Sequence, residues 1–380
     1  MRLADRIRTI IAGAILGFSA TAAQAVDGVT DDRILLGQSA AFSGPAQALG
    51  KEMLQGAKVY FDGVNARGGV HGRRIDVTSL DDGYEPDRAA ANTRSLIEER
   101  KVFALFGYVG TPTSLAAMPI FSAAKVPFVG AFTGAEALRN PLNRQIFNVR
   151  ASYFDETERI VEHLVTTGVN RIAVFYQNDS YGKAGLTGVE RAMKKRGLEP
   201  IAKATVERNS VDVAAAVETL SAAAPDAIIQ ISAYSSCAAL IKEMRKAGSI
   251  SMFFNVSFVG SRALSEALDT EARGVVISQV VPLPWSGVDH VVRDYQSQMQ
   301  AAGFSQFSFT SLEGFIAAKV MVEGLQRAGR NLNRGRLIEA FESMSSFDMG
   351  GFKVAFTPEN HNGSGLVDLT IISREGSFIH

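Results

Sequence analysis

The residues able to do covalent chemistry are few and scattered. The histidines, His71, His163, His290, His361 and His380, form no His-x-x-x-His pair, and the one cysteine, Cys237, has no Cys-x-x-Cys partner. Metal-ligand spacing is therefore absent, and no cofactor or metal site is expected. Cys237 has no histidine nearby in sequence to draw off its proton and reads as a packing thiol. Asp81-Asp82 has the look of an acid/base or metal pair, but it follows a strand and precedes Gly83, the setting of turn acids. No Gly-x-x-x-x-Gly-Lys-Ser/Thr loop, no Gly-x-Gly-x-x-Gly after the first strand and no Gly-x-Ser-x-Gly elbow occurs. These omissions argue against nucleotide, dinucleotide and acyl-transfer chemistry and leave binding as the expected activity.

The segments that would position any site alternate strand with helix. Ile34 to Ser39 reads as an apolar strand, 46–65 as a helix stopped by Gly68-Gly69, and 74–80 as an alternating strand. Pro86 opens a helix running to Arg100, followed by a strand at 102–108, a helix at 113–124 and a strand at 127–132. The rhythm then restarts. Helices at 156–167, 181–196, 213–223 and 236–247 interleave with strands at 171–176, 200–206, 227–231, 252–256 and 274–281. Such repetition predicts parallel sheets covered by helices on both faces: an α/β protein of two doubly wound lobes. Residues 148–155 are the expected first crossover between them. Further on, 289–302 and 311–328 read as long helices with no strand between, a return to the first lobe, and 352–357 with 366–373 as a strand pair ending near the second. The expected division is 1–25 as a leader, 26–148 plus about 282–350 as lobe 1, and 149–281 plus about 351–380 as lobe 2. Ligands of open α/β sheets bind beyond the strand C-termini, here the cleft between lobes.

The ends and the bulk agree with an exported binder. Arg2, Arg6 and Arg8 precede an apolar run from Ile10 to Ala20, and Ala23-Gln24-Ala25 follows. This is the layout of a cleavable secretory signal peptide, too short in its apolar part for the roughly 20 residues of a membrane span. The expected location is the periplasm. The leader carries three Arg against Asp5, so its removal takes a chain with 39 basic and 39 acidic residues to a net −2. A near-neutral chain has no bulk electrostatic attraction for nucleic acid or anionic membrane. One thiol cannot form an internal disulfide, so stability must come from core burial.

An ordered set of motifs resembles the branched-chain amino-acid-type periplasmic binding proteins (the leucine/isoleucine/valine-binding family). Ile34-Leu35-Leu36-Gly37-Gln38-Ser39 with Phe42-Ser43-Gly44-Pro45 looks like the family's first strand and loop. Asn65-Ala66-Arg67-Gly68-Gly69-Val70-His71-Gly72 is similar to its Asn-x-x-Gly-Gly-Val-x-Gly turn. Phe106 to Ser114 resembles its strand-to-helix ligand loop, Pro127-Phe128-Val129-Gly130 the next strand, and Asp179-Ser180-Tyr181-Gly182-Lys183-Ala184-Gly185 the opening of its second lobe. The resemblance runs through the whole chain beyond the leader. It implies the type I periplasmic-binding fold with a three-crossover hinge, and no chemistry by the chain itself. It further implies a small-molecule ligand, an ABC permease in the inner membrane as partner, and a monomer. A ligand-sensing receptor of the same fold is the alternative, and an exported α/β enzyme a remote one.

The resemblance places a ligand carboxylate at Gly110, Thr111 and Thr113, where hydroxyls and the free N–H groups of a helix start suit an anion. Ordinary helix capping by the same threonines is compatible with that role. Ala131, Phe132 and Thr133 complete the first-lobe half, and Tyr181, Tyr234 and Ser257 form the second, with Tyr108 and Tyr153 as further cleft candidates. The departures concern charge. Where amino-acid binders of the family carry an acid for the ligand ammonium, this chain reads Asn255-Val256-Ser257-Phe258. Leu49 stands at a frequently aromatic position, and Leu312-Glu313 where Tyr-Asp often opens the helix. A buried ammonium without a counter-charge is costly, so a carboxylate or amide-like solute is expected, unless Asp155 or Glu313 supplies the charge.

Overall fold

The structure is a computed structural model and describes residues 26–379. The expected leader, 1–25, lies outside the described residues. The first half of the chain builds β1 (Arg33–Ala40), α1 (Gln47–Ala66), β2 (Arg74–Asp81), α2 (Pro86–Arg94), β3 (Ala104–Phe106), α3 (Thr111–Ala123), β4 (Phe128–Val129) and β5 (Ile146–Phe147). These strands form one parallel sheet in the order β2-β1-β3-β4-β5. The helix expected to reach Arg100 ends at Arg94 and continues as a π-helical turn, Ser95–Glu99.

The chain then passes to a second sheet through α4 (Tyr153–Thr166), β6 (Ile172–Gln177), α5 (Ser180–Lys194), β7 (Lys203–Val206), α6 (Ala214–Ala223), β8 (Ala227–Ile231), α7 (Tyr234–Lys246), β9 (Met252–Asn255), α8 (Ser261–Leu268) and β10 (Val276–Gln279). Ser152 caps α4, which starts three residues before the sequence expectation. Its hydroxyl accepts from the Asp155 amide while the Asp155 carboxylate accepts from the Ser152 amide, a capping box. β8 is buried at every position, as a strand covered on both faces must be.

α9 (His290–Ala301) and α10 (Phe309–Ala328) return to pack on α1, followed by α11 (Arg334–Glu342) against α10. β11 (Phe347–Asp348) pairs with β12 (Lys353–Val354), and the chain crosses a third time to β13 (Asp368–Ile372) and β14 (Phe378–Ile379). The second sheet runs β14-β13-β10-β9-β8-β6-β7, parallel except for β13 and β14. The strand pair expected between 352–357 and 366–373 does not form. Residues 353–354 pair with β11 instead, and β13 lies antiparallel between β10 and the edge strand β14. Phe356 and His361 lie against Phe147, beside the first sheet.

The main apolar core runs through both sheets, and a smaller cluster, including Leu105, Tyr108, Phe121 and Phe128, sits under α2 and α3. In the second connection, Trp285 stacks on Phe378 of β14 and meets Phe309 of α10 edge-on. It therefore touches elements of both halves.

Candidate functional site

Two loops of the first half open the site. Gly110 stands just before α3 with φ 101°, a backbone that L side chains rarely adopt, and a Cβ there would lie 2.2 Å from Tyr84 Cε2. That close approach brings the Tyr84 ring against the loop. On α3, the Thr111 hydroxyl meets that of Thr133 at 2.6 Å, and Thr133 donates to the Tyr153 hydroxyl at 3.3 Å. The Thr113 hydroxyl turns back and donates to the carbonyls of Val109 at 2.5 Å and Gly110 at 3.0 Å, so its proton is spent on the backbone before α3 and is not offered to the cleft.

The second half meets them at the C-terminal ends of its strands. Asp179 caps α5 and accepts from the Tyr181 amide at 2.9 Å and from Gln177 Nε2 at 2.6 Å. The short helix Ser257–Val259 sends Phe258 into the cleft. Its ring centroid lies 4.6 Å from Tyr181, 5.3 Å from Phe132 and 5.9 Å from Tyr84, and Tyr153 and Tyr181 are 5.3 Å apart. The result is a buried cage of aromatic rings drawn from both sheets. At its wall the Tyr181 hydroxyl, Ser232 Oγ and Gln177 Oε1 are buried with no hydrogen-bond partner among the described residues. Buried polar atoms are usually paired, so these are donors and acceptors available to a bound solute. Burial pushes the Tyr181 hydroxyl well above its ordinary pKa, so it stays a neutral donor.

Beneath the cage lies a buried ionic cluster. Arg150, 1% exposed, donates from Nη2 to Glu156 Oε1 at 2.8 Å and from Nη1 to Glu313 Oε1 at 3.4 Å. Nη2 also touches the Ser257 hydroxyl. Glu156 Oε2 accepts from the Ser257 amide at 2.7 Å and the Ser278 hydroxyl at 2.6 Å. Burial pushes the Glu313 carboxyl up to about 7, against the pull of Arg150, and the neighbouring Glu156 adds to the rise. One guanidinium stands between two carboxylates, and Glu156 has the closer bond. Arg139, also buried, donates to the carbonyls of Arg150 at 2.9 Å and Ala151 at 3.1 Å, which fixes the backbone of the crossover.

Both rims of the cleft are latched. On one, Arg208 reaches Glu85 at 2.8 Å and Asn209 donates to the Gly83 carbonyl at 3.0 Å. On the other, Arg262 reaches Glu52 at 3.0 Å, and Leu49 packs against Gly260.

Of the residues expected from sequence, Gly110, Thr111, Phe132, Thr133, Tyr153, Tyr181 and Ser257 are brought together here. Four do not join them, Thr113 because its hydroxyl is turned back to the backbone. Tyr108 points under α3, where its hydroxyl meets Thr93 at 3.0 Å. Ala131 packs into the same small cluster. Tyr234 is half-exposed on the outer rim beside Glu52 and Arg262. Asp155 is spent on its cap, and Asp81 and Asp82 serve their turn: Asp81 accepts from the amides of Phe42 and Gly83, and Asp82 from that of Tyr84. Sequence reasoning missed Tyr84, Gln177, Phe258, Arg150 and Glu156. For Arg150 one signal existed, a charge inside a segment expected to run between two cores, which must find a partner.

Comparison with known proteins follows the same line. The family model described as periplasmic binding protein matches residues 33–376. A solved structure of a possible leucine/isoleucine/valine-binding protein from Rhodopirellula baltica SH 1 is 34% identical, with a TM-score of 0.88, covering 94% of this chain and 98% of that one. A substrate-binding periplasmic protein from Ralstonia solanacearum is 32% identical, TM-score 0.86, covering 91% and 99%. Among curated proteins, Leu/Ile/Val-binding protein homolog 7 of Brucella abortus (strain 2308) is 25% identical over 334 residues, 82% of each chain.

Proposed function

Because the chain belongs to the periplasmic binding protein family, of the branched-chain amino-acid type and with the type I fold, we propose that it is the substrate-binding component of an ABC-type uptake transporter. It captures a small carboxylate, amino acid or related solute between its lobes and presents the closed form to an inner-membrane permease. The lobes in this reading are the two sheets with their covering helices, hinged at the three crossovers, and the leader directs export to the periplasm. The matching family is one of binding proteins, which supports capture as the act of this chain.

The observation that carries the reading is the cage itself. Rings from both halves meet at the strand C-termini, and three buried polar atoms there have no partner among the described residues. A closed cleft of this kind suits an apolar solute with a few polar atoms. The test is a thermal-shift screen of the purified protein against amino acids, aliphatic and aromatic carboxylates, amides and inorganic anions. A ligand of the folded state raises the melting temperature by mass action, by several degrees at 100 times Kd. Small-angle scattering of the same hits should show a smaller radius of gyration in the bound form. Stabilisation by no solute of any class, or turnover of a bound one, overturns the proposal.

A further inference from the structure

The cleft contains a cation of its own. Arg150 leaves the crossover and lies between the halves, its guanidinium 5.1 Å from the centre of the Phe132 ring and 5.9 Å from that of Tyr153. Both rings belong to the cage. Its Nε is buried without a hydrogen-bond partner among the described residues. Its two carboxylate neighbours are unequal. Glu156, on α4, is fixed by the Ser257 amide and the Ser278 hydroxyl as well as by Arg150. Glu313, on α10, holds Arg150 only by a 3.4 Å contact. Nη2 serves Glu156 and Nη1 reaches Glu313 through a long contact, so the buried Nε–H is the donor left for a ligand, and Nη1 can turn to one from Glu313.

We infer that Arg150 reads the ligand, and that the cleft selects solutes carrying a carboxylate, or a comparable planar anion, and lacking an ammonium group. The inference rests on the binding-protein reading and names its substrate class. A carboxylate on the guanidinium would form charge-assisted hydrogen bonds in a site closed to water. The Thr111 and Thr133 hydroxyls, the latter bonded to the Tyr153 hydroxyl, and the start of α3 lie close by as further donors. A ligand ammonium meets the opposite situation. It would approach a fixed positive charge at low dielectric, where like charges repel strongly. The acids able to offset it are committed: Asp155 to its cap and Glu156 to three donors. Glu313 remains, facing Arg150, Arg139 and Glu156, and its burial favours the protonated form up to about pH 7.

The test is isothermal titration calorimetry on the protein expressed from its full chain, with ligands matched in side chain. Leucine is compared with 4-methylpentanoate and 4-methylpentanamide, and phenylalanine with 3-phenylpropanoate. The carboxylates without an amino group should bind on the order of 100-fold more tightly than the matching amino acid or amide. In the double variant Arg150→Gln/Glu156→Gln, which removes both charges and leaves no lone one from the pair, that ratio should fall to within a few-fold. Arg150→Lys keeps the charge and loses the fork. It should weaken carboxylates roughly tenfold, and it carries the test if the double variant does not fold. An amino acid bound as tightly as its partner overturns the selectivity and leaves the binding-protein reading standing. A ratio preserved in the folded double variant, or an unchanged carboxylate affinity in Arg150→Lys, overturns the role of Arg150. Binding of neutral solutes alone also overturns it. Binding of no solute at all overturns this inference and the transport reading together.

Discussion

At the scale of single residues, the Arg150 cluster is a place where one substitution leaves a buried charge unpaired. Glu156→Ala removes the nearer carboxylate from a guanidinium with almost no access to water. The expected loss of stability is about 3 kcal/mol, the range for breaking a buried pair, read from urea denaturation with the slope unchanged. Glu313 makes the opposite prediction. Its folded pKa, about 7, lies above the ordinary 4.5. The native state therefore holds a proton that the unfolded chain releases, and stability falls as pH rises from the ordinary value toward the folded one. Glu313→Gln should flatten that fall, and urea midpoints taken between pH 4 and pH 8 would show it; a parallel pair of curves would exclude it. The sequence revealed the missing acid at Ser257 but not what replaces it. Arg150 and Glu156 are six positions apart, and Ser257 and Glu313 each lie more than a hundred residues further along. Only the crossing of chains brings them together, so no spacing rule points to them.

Elements were far more legible than the site, because each strand and helix is specified by a local pattern. The apolar runs of β6 and β8 can be read where they stand, while the start of α4 lies three residues before its expected place. The strand at 353–354 pairs not with 366–373 but with its neighbour 347–348 across the Gly350-Gly351 turn, a two-residue pairing too short to show as alternation in the sequence. The contact between α1 and α10 shows how an element carries a functional residue. Gly314 lies so close to α1 that a Cβ would fall 2.1 Å from the Met53 carbonyl oxygen. Gly314→Ala must push the helices apart. It should destabilise the fold by roughly 2 kcal/mol, as overpacking does, and weaken ligand binding by displacing Glu313, its neighbour in sequence. Calorimetry alongside thermal melting checks both effects.

For the whole molecule, the rim contacts determine how readily the cleft opens. Arg208 ties Glu85 of the first half to Asp179 of the second, at 2.8 and 3.3 Å. These groups are partly exposed, so each bond is worth at most about 1 kcal/mol and weakens with salt. Arg208→Ala should raise the ligand dissociation rate roughly fivefold and make scattering curves of the ligand-free protein more open. Stopped-flow release at two salt concentrations would measure it, and an unchanged rate would show that the latch plays no part. Trp285 gives the same motion an optical signature. It is the only tryptophan in the chain, and it is stacked on Phe378 from the second sheet while it meets Phe309 at the head of α10. A rotation of one half against the other must slide the indole past one of these rings and alter its exposure. The unlabelled protein thus carries a single indole at its pivot, and with excitation selective for tryptophan the colour and anisotropy of its emission should report each opening and closing in real time.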